Sequence, residues 1–66
     1  MQVTINGESR ELDTELTLAE LLDQYQLIPQ RVAIELNEQL VRRAHYAETL
    51  LHAGDRVEIV TLVGGG

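Results

Sequence analysis

Only one stretch of this 66-residue chain has a helical hydrophobic repeat longer than a single turn, and it is too short to stand alone. Leu18, Leu21, Leu22 and Tyr25 recur at i, i+3, i+4 and i+7, so one face is apolar. Glu20, Asp23 and Gln24 fill the opposite face and read as solvated. Thr17 is a good N-cap, Glu20 three residues on completes a capping box, and Leu16 and Leu21 have the spacing of a hydrophobic staple. Pro29 ends any helical continuation. An isolated helix of about ten residues is not stable in water. It must lie on a sheet, and the remaining chain has to supply that sheet.

The flanking segments do so. Met1, Val3 and Ile5 alternate with Gln2, Thr4 and Asn6, the period of a strand with one buried face. Asn6-Gly7 follows, a pair in which both residues accept positive φ, so a hairpin turn is expected. The return arm, Glu8 to Leu12, is polar and suits an edge or exposed strand. After the helix, Val32, Ile34 and Leu36 alternate with Ala33 and Glu35 as a third strand. Asn37-Glu38-Gln39 makes a turn and Leu40-Val41 a very short fourth strand. In the mixed segment Arg42 to Leu51, Tyr46, Ala47 and Leu50 suggest one helical turn packing downward. Ala53-Gly54-Asp55 is a turn, and Arg56 to Leu62 a fifth strand with Val57, Ile59 and Thr61 on one face and Glu58, Val60 and Leu62 on the other. The element order is β-β-α-β-β-β, which predicts an α+β fold: a mixed β-sheet with one main α-helix packed on one face. The expected core is Val3, Ile5, Leu18, Leu21, Leu22, Ile34, Leu36, Val57 and Ile59. Residues 1–63 form a single domain, and 64–66 a flexible glycine tail.

Composition removes several classes of function. There is no cysteine, hence no disulfide, no thiolate metal site and no cysteine nucleophile. The net charge of −6 disfavours nucleic acid and anionic lipid, and two tyrosines make no stacking platform for bases. No stretch approaches the roughly 18 apolar residues of a membrane span, and no signal-like N-terminus is present. A soluble cytoplasmic protein is expected, monomeric when free. His45 and His52 have no metal-binding spacing and read as surface residues. Asp13 and Glu15 are better read as compensation of the helix dipole than as an acid–base pair. No phosphate-binding glycine motif and no Ser-His-Asp set is suggested.

Two features remain. The chain closes on Val63-Gly64-Gly65-Gly66, directly after the fifth strand. Glycines beyond a last strand add freedom and nothing to bury. Extended, the three span on the order of 10 Å at about 3.3 Å per residue, enough to carry a carboxylate into a narrow site. Termini also fray, and short glycine tails arise in cloning, so the tail alone does not decide. The second feature is the outward pair Val60 and Leu62 beside Glu58, an apolar patch suited to docking on the strand that leads to the tail.

Together these residues resemble the ubiquitin-like β-grasp sulfur carriers. The runs Val32-Ala33-Ile34-Glu35-Leu36-Asn37, Leu40-Val41-Arg42-Arg43 and Gly54-Asp55-Arg56-Val57-Glu58-Ile59-Val60, with the end Leu62-Val63-Gly64-Gly65-Gly66, are similar to the ThiS family of thiamine thiazole synthesis. The likeness covers the whole chain. Two departures concern the scaffold. The turn that is often Asn-Gly is Asn37-Glu38 here, and because Glu disfavours positive φ a different turn type is expected. A proline that often precedes the arginine after the fourth strand is Arg42 here, before Arg43.

The resemblance implies a protein cosubstrate and not an enzyme. The Gly66 carboxylate would be adenylated by a ThiF-type enzyme using Mg-ATP, with no cofactor bound by this chain. Sulfur from a persulfide, supplied through a cysteine desulfurase, would convert it to a thiocarboxylate. A ThiG-type thiazole synthase would receive that sulfur. Gly64 and Gly65 would thread the partners' active sites, and Val60, Leu62 and Val63 would dock. Sulfur transfer to molybdopterin or tRNA, and ubiquitin-like conjugation to other proteins, remain as alternatives, beside a plain interaction domain with an inert tail.

Overall fold

The computed structural model describes residues 1–62; Val63, Gly64, Gly65 and Gly66 lie outside the described residues. In chain order the elements are β1 (Gln2–Ile5), β2 (Glu8–Glu11), α1 (Leu18–Gln24), a 3-10 turn (Pro29–Arg31), β3 (Val32–Leu36), β4 (Gln39–Val41), a longer 3-10 segment (Arg43–Glu48) and β5 (Arg56–Thr61). Among the described residues the strands form one five-stranded sheet in the order β2-β1-β5-β3-β4. β1 and β5 run parallel, and every other neighbouring pair is antiparallel. This mixed sheet, crossed on one face by a single helix, is the β-grasp arrangement that the element order implies. The last strand in sequence is the central one in space.

The helix begins where the capping pattern places it. Thr17 Oγ1 accepts from the Glu20 N–H at 3.1 Å, and Glu20 Oε1 accepts from the Thr17 N–H at 2.8 Å, so two otherwise orphaned donors are satisfied. Leu16 and Leu21 of the staple are both buried. The helix ends earlier than the proline suggests. Gln26 takes φ 58, the Leu27 N–H reaches the Leu22 carbonyl at 2.9 Å, and the Gln26 N–H reaches Asp23 at 3.0 Å. That is a Schellman closure with glutamine where glycine is usual. Tyr25 consequently caps the helix instead of extending its apolar stripe, and it is exposed.

The core is larger than the expected set. Leu18, Leu21 and Leu22 are fully buried against Val3, Ile5, Ile34, Val57 and Ile59. At about 1.5–3 kcal/mol for each buried aliphatic side chain, these three leucines are the helix's main hold on the sheet. Leu12, Leu16, Val32, Tyr46 and Leu51 are buried as well, while Leu36 is only partly buried. In the segment after β4 the downward residues are Tyr46 and Leu51, and Leu50 is exposed. The reason is a single antiparallel bridge between Thr17 and Leu50. It makes the local chain extended, so neighbouring side chains point to opposite sides. The Leu51 N–H to Leu16 carbonyl bond (2.8 Å) and the Leu18 N–H to Thr49 carbonyl bond (2.9 Å) fix this register.

Two turns place the central strand. Asn6 (φ 51) and Gly7 (φ 81) form the expected two-residue hairpin turn between Ile5 and Glu8. Asn37 and Glu38 also both take positive φ, at 52 and 71, so this turn keeps the mirror-image geometry despite its glutamate. The tight Leu36–Gln39 register between twisted strands requires it. The cost of a non-glycine residue there, roughly 1–2 kcal/mol, is offset by the surrounding pairing.

Glu38→Gly is therefore expected to raise stability by about 1 kcal/mol in urea denaturation. An unchanged midpoint would show that Glu38 is not strained.

Candidate functional site

The candidate site is the outgoing end of β5 and the sheet face left open by the helix. It depends on how β5 is held. The Asn6 side chain acts as an extra piece of strand: Oδ1 accepts from the Ile59 N–H at 2.7 Å, and Nδ2 donates to the Ile59 carbonyl at 3.2 Å. The Asn6 N–H also donates to the Val57 carbonyl at 2.8 Å. On the other side Asn37 does the same for the strand's first residue. Its Oδ1 accepts from the Arg56 N–H at 2.9 Å, and its N–H donates to the Arg56 carbonyl at 2.7 Å. Asn37 Nδ2 further donates to Asp55 Oδ1 at 3.1 Å, and Asp55 Oδ2 accepts from the His52 N–H at 2.7 Å. The Gly54-Asp55 pair thus shapes the turn into β5, with Gly54 at φ 88. At the far end, the Leu62 N–H donates to the Arg31 carbonyl at 2.8 Å. The strand is anchored from its first residue to the last described one.

Alternation along β5 buries Val57 and Ile59 under the helix and turns Glu58 and Val60 to the open face. Val60 is 58% exposed and Leu62 49%, so the outward apolar pair stands where its spacing predicts. Thr61, expected on the helix side and paired there with Val32, is nevertheless exposed, because it lies past the buried body of the sheet. Val63, Gly64, Gly65 and Gly66 are the remaining predicted site residues, and they lie outside the described residues.

The pairing brings further residues beside Val60 and Leu62. Ala33 of β3 is directly opposite Val60. Arg31 is held against Leu62 by its carbonyl. Arg42 stands one residue past the Ile34–Val41 pair, with extended backbone, where the chain leaves β4 for the 3-10 segment. One row back from the tail end, Glu35 and Glu58 face each other directly, with Leu40 on the outer side of Glu35. Sequence alone could not find these neighbours, because they depend on the order β5-β3-β4 and not on local spacing.

Nothing else among the described residues offers chemistry. His45 and His52 are exposed, and His52 Nδ1 lies 3.9 Å from Asp55 Oδ2. No group of three or more His, Cys, Asp or Glu residues is placed to hold a metal ion among the described residues. Asp13 and Glu15 are both exposed in the loop before the helix, whose first turn carries Glu20. A groove of about 280 Å³ lined by Thr4, Gly7, Glu35, Glu38, Arg56, Val57 and Glu58 lies at the start of β5, away from the tail. No helix of the described residues is long and apolar enough to cross a membrane.

The model of the ThiS family matches residues 3–66. The chain belongs to the ThiS family. The crystal structure of the thiamine biosynthesis protein ThiS from Geobacter metallireducens superposes on it with a TM-score of 0.86 at 32% identity, with both chains covered in full. The sulfur carrier protein ThiS of Escherichia coli K12 is 27% identical over 66 residues, again the whole of both chains. A thiazole synthase of Paramagnetospirillum magneticum is 36% identical over the whole of this chain, which spans only 20% of that protein's length. The ThiS-family chain thus aligns both with free-standing small carriers and with part of a larger polypeptide.

Because Val60 and Leu62 are exposed and lie outside the buried core, V60S and L62S are expected to change unfolding free energy by less than about 1 kcal/mol. A loss above about 1.5 kcal/mol in urea denaturation would show that they belong to the core.

Proposed function

We propose that this chain is a sulfur carrier whose reacting group is the Gly66 carboxylate, and that its sulfur goes to thiazole formation in thiamine biosynthesis. The observation that supports this reading best is the anchoring of β5. The strand is held through Leu62, and four residues after it the sequence reaches Gly66 with Gly64 and Gly65 between. A carboxylate on such a thin segment can enter a channel that a side chain would block.

A carboxylate is a poor electrophile at neutral pH. A ThiF-type partner using Mg-ATP would convert it to the acyl-adenylate, releasing pyrophosphate. A persulfide, formed with sulfur from a cysteine desulfurase, then attacks the acyl carbon and displaces AMP. The attack forms an acyl carbon–sulfur bond; a second thiol then cleaves the persulfide's own sulfur–sulfur bond, leaving the thiocarboxylate and a disulfide. This chain has no cysteine, so both thiols come from partners. The chain supplies the acyl group, its presentation and the docking face, and it works as a cosubstrate. A ThiG-type recipient is favoured because relatives named thiazole synthase contain a stretch like this whole chain.

Intact-protein mass spectrometry after incubation with a ThiF-type enzyme, Mg-ATP and a sulfur donor tests the proposal. One oxygen-to-sulfur exchange is expected, lost on deletion of Gly66. The absence of exchange, with the enzyme active on another carrier, would overturn it. Gly65→Val is expected to fold normally and lose at least about 90% of transfer, a rate loss above tenfold. Full transfer by this variant would contradict a narrow channel.

A further inference from the structure

Asn6 serves two ends at one place. It is the first residue of the turn after β1, with φ 51, and its side-chain amide holds Ile59 of the central strand. The next residue is Gly7, exposed, at φ 81, with open space where a Cβ would stand. Asparagine is a thermolabile residue. Its side-chain carbonyl carbon is open to attack by the following backbone nitrogen, and glycine leaves that nitrogen unshielded and free to come round. Asn37 is a control within the same fold. It also grips β5, at Arg56, and takes nearly the same φ, 52, but Glu38 follows it.

In the folded chain the Asn6 amide is tied at both ends. Oδ1 accepts from the Ile59 N–H at 2.7 Å, and Nδ2 donates to the Ile59 carbonyl at 3.2 Å. The carbon between them cannot swing toward the Gly7 nitrogen unless both bonds break. This end of β1 is thinly held, since β1 pairs with β5 only at Thr4 and Ile5, with the Asn6 N–H on the Val57 carbonyl beyond them.

We propose that Asn6-Gly7 is a site of spontaneous deamidation, kept closed in the folded chain by the Asn6 grip on Ile59, and that its product releases that grip. Base removes the Gly7 N–H proton. The nitrogen bonds to Asn6 Cγ, the Cγ–Nδ2 bond breaks, and ammonia leaves with a proton from water. Water then opens the succinimide at either carbonyl, giving aspartate or, with the main chain rerouted through Cβ and Cγ, isoaspartate. Nothing is oxidised or reduced. In the aspartate an oxygen stands where Nδ2 stood, so two acceptors face each other and the Ile59 carbonyl loses its partner. In the isoaspartate an added backbone carbon disturbs the two-residue turn between Ile5 and Glu8 as well.

The full chain is held at mildly alkaline pH, in buffer and in urea above its unfolding midpoint. Intact mass and peptide mapping that separates aspartate from isoaspartate follow the products. In urea, conversion is expected at Asn6, with Asn37 at least about tenfold slower. The folded chain is expected to convert Asn6 at least about tenfold more slowly than the unfolded chain, because the site must first open. Folded and unfolded rates within about twofold of each other, or Asn37 converting ahead of Asn6, would overturn the proposal. N6D carries the product's side chain. It is expected to raise the unfolding equilibrium constant at least about tenfold at neutral pH. That excess is expected to shrink as pH falls through the carboxylate range, where protonated Asp can again donate to the Ile59 carbonyl. Stability equal to the parent's at every pH would show that the grip is not lost. Should N6D fail to fold, the comparison of rates decides alone. Each of these results leaves the Gly66 chemistry where it stands.

Discussion

The structure depends on two asparagine side chains that act as lengths of backbone. Each is the first residue of a two-residue turn, and each grips β5 from a different side, Asn6 at Ile59 and Asn37 at Arg56. β1 and β3 are short, and β1 pairs with β5 only through Thr4 and Ile5. Without the Asn6 amide, the β1 side of β5 would lose its partner two residues after Val57. A central strand whose amides and carbonyls face no partner is costly, because a buried unpaired group forfeits its hydration. The turns therefore do more than reverse the chain. They set where the last strand lies and how far along it stays held.

That placement separates two tasks. The helix side of β5 carries Val57 and Ile59 into a core dominated by Leu18, Leu21, Leu22 and Ile34, and so supplies the fold's stability. The open side carries Glu58, Val60 and Leu62, whose side chains lie outside that core. Because side chains alternate along one strand, the same few residues tie the end of β5 to the core and leave an apolar surface exposed on the other side.

Much of the fold is legible in the sequence where the signal is local. The capping box at Thr17 and Glu20, the Asn6-Gly7 turn and the alternation of Val32 to Leu36 each involve residues within a few positions of one another. Readings that depended on distant partners were displaced. The helix stops at Gln24, capped by Tyr25, because Gln26 turns to positive φ and Leu27 packs against the core, and the visible stop at Pro29 instead opens a 3-10 turn. Leu51 and not Leu50 is buried because a bridge to Thr17 sets the alternation. Glu38 takes positive φ because the strands on either side demand that turn. Of the site, Val60 and Leu62 were readable from the period of β5, whereas Arg31, Arg42 and the Glu35–Glu58 pair required the strand order.

The central claim is that sulfur leaves this protein from Gly66 and enters a thiazole. It is tested most directly by loading the chain with isotopically heavy sulfur as the thiocarboxylate and giving it to a ThiG-type thiazole synthase with its remaining substrates. The account predicts heavy sulfur in the thiazole product, with loss of label from the carrier in equal amount. Unlabelled thiazole formed while the carrier retains its heavy sulfur would contradict it.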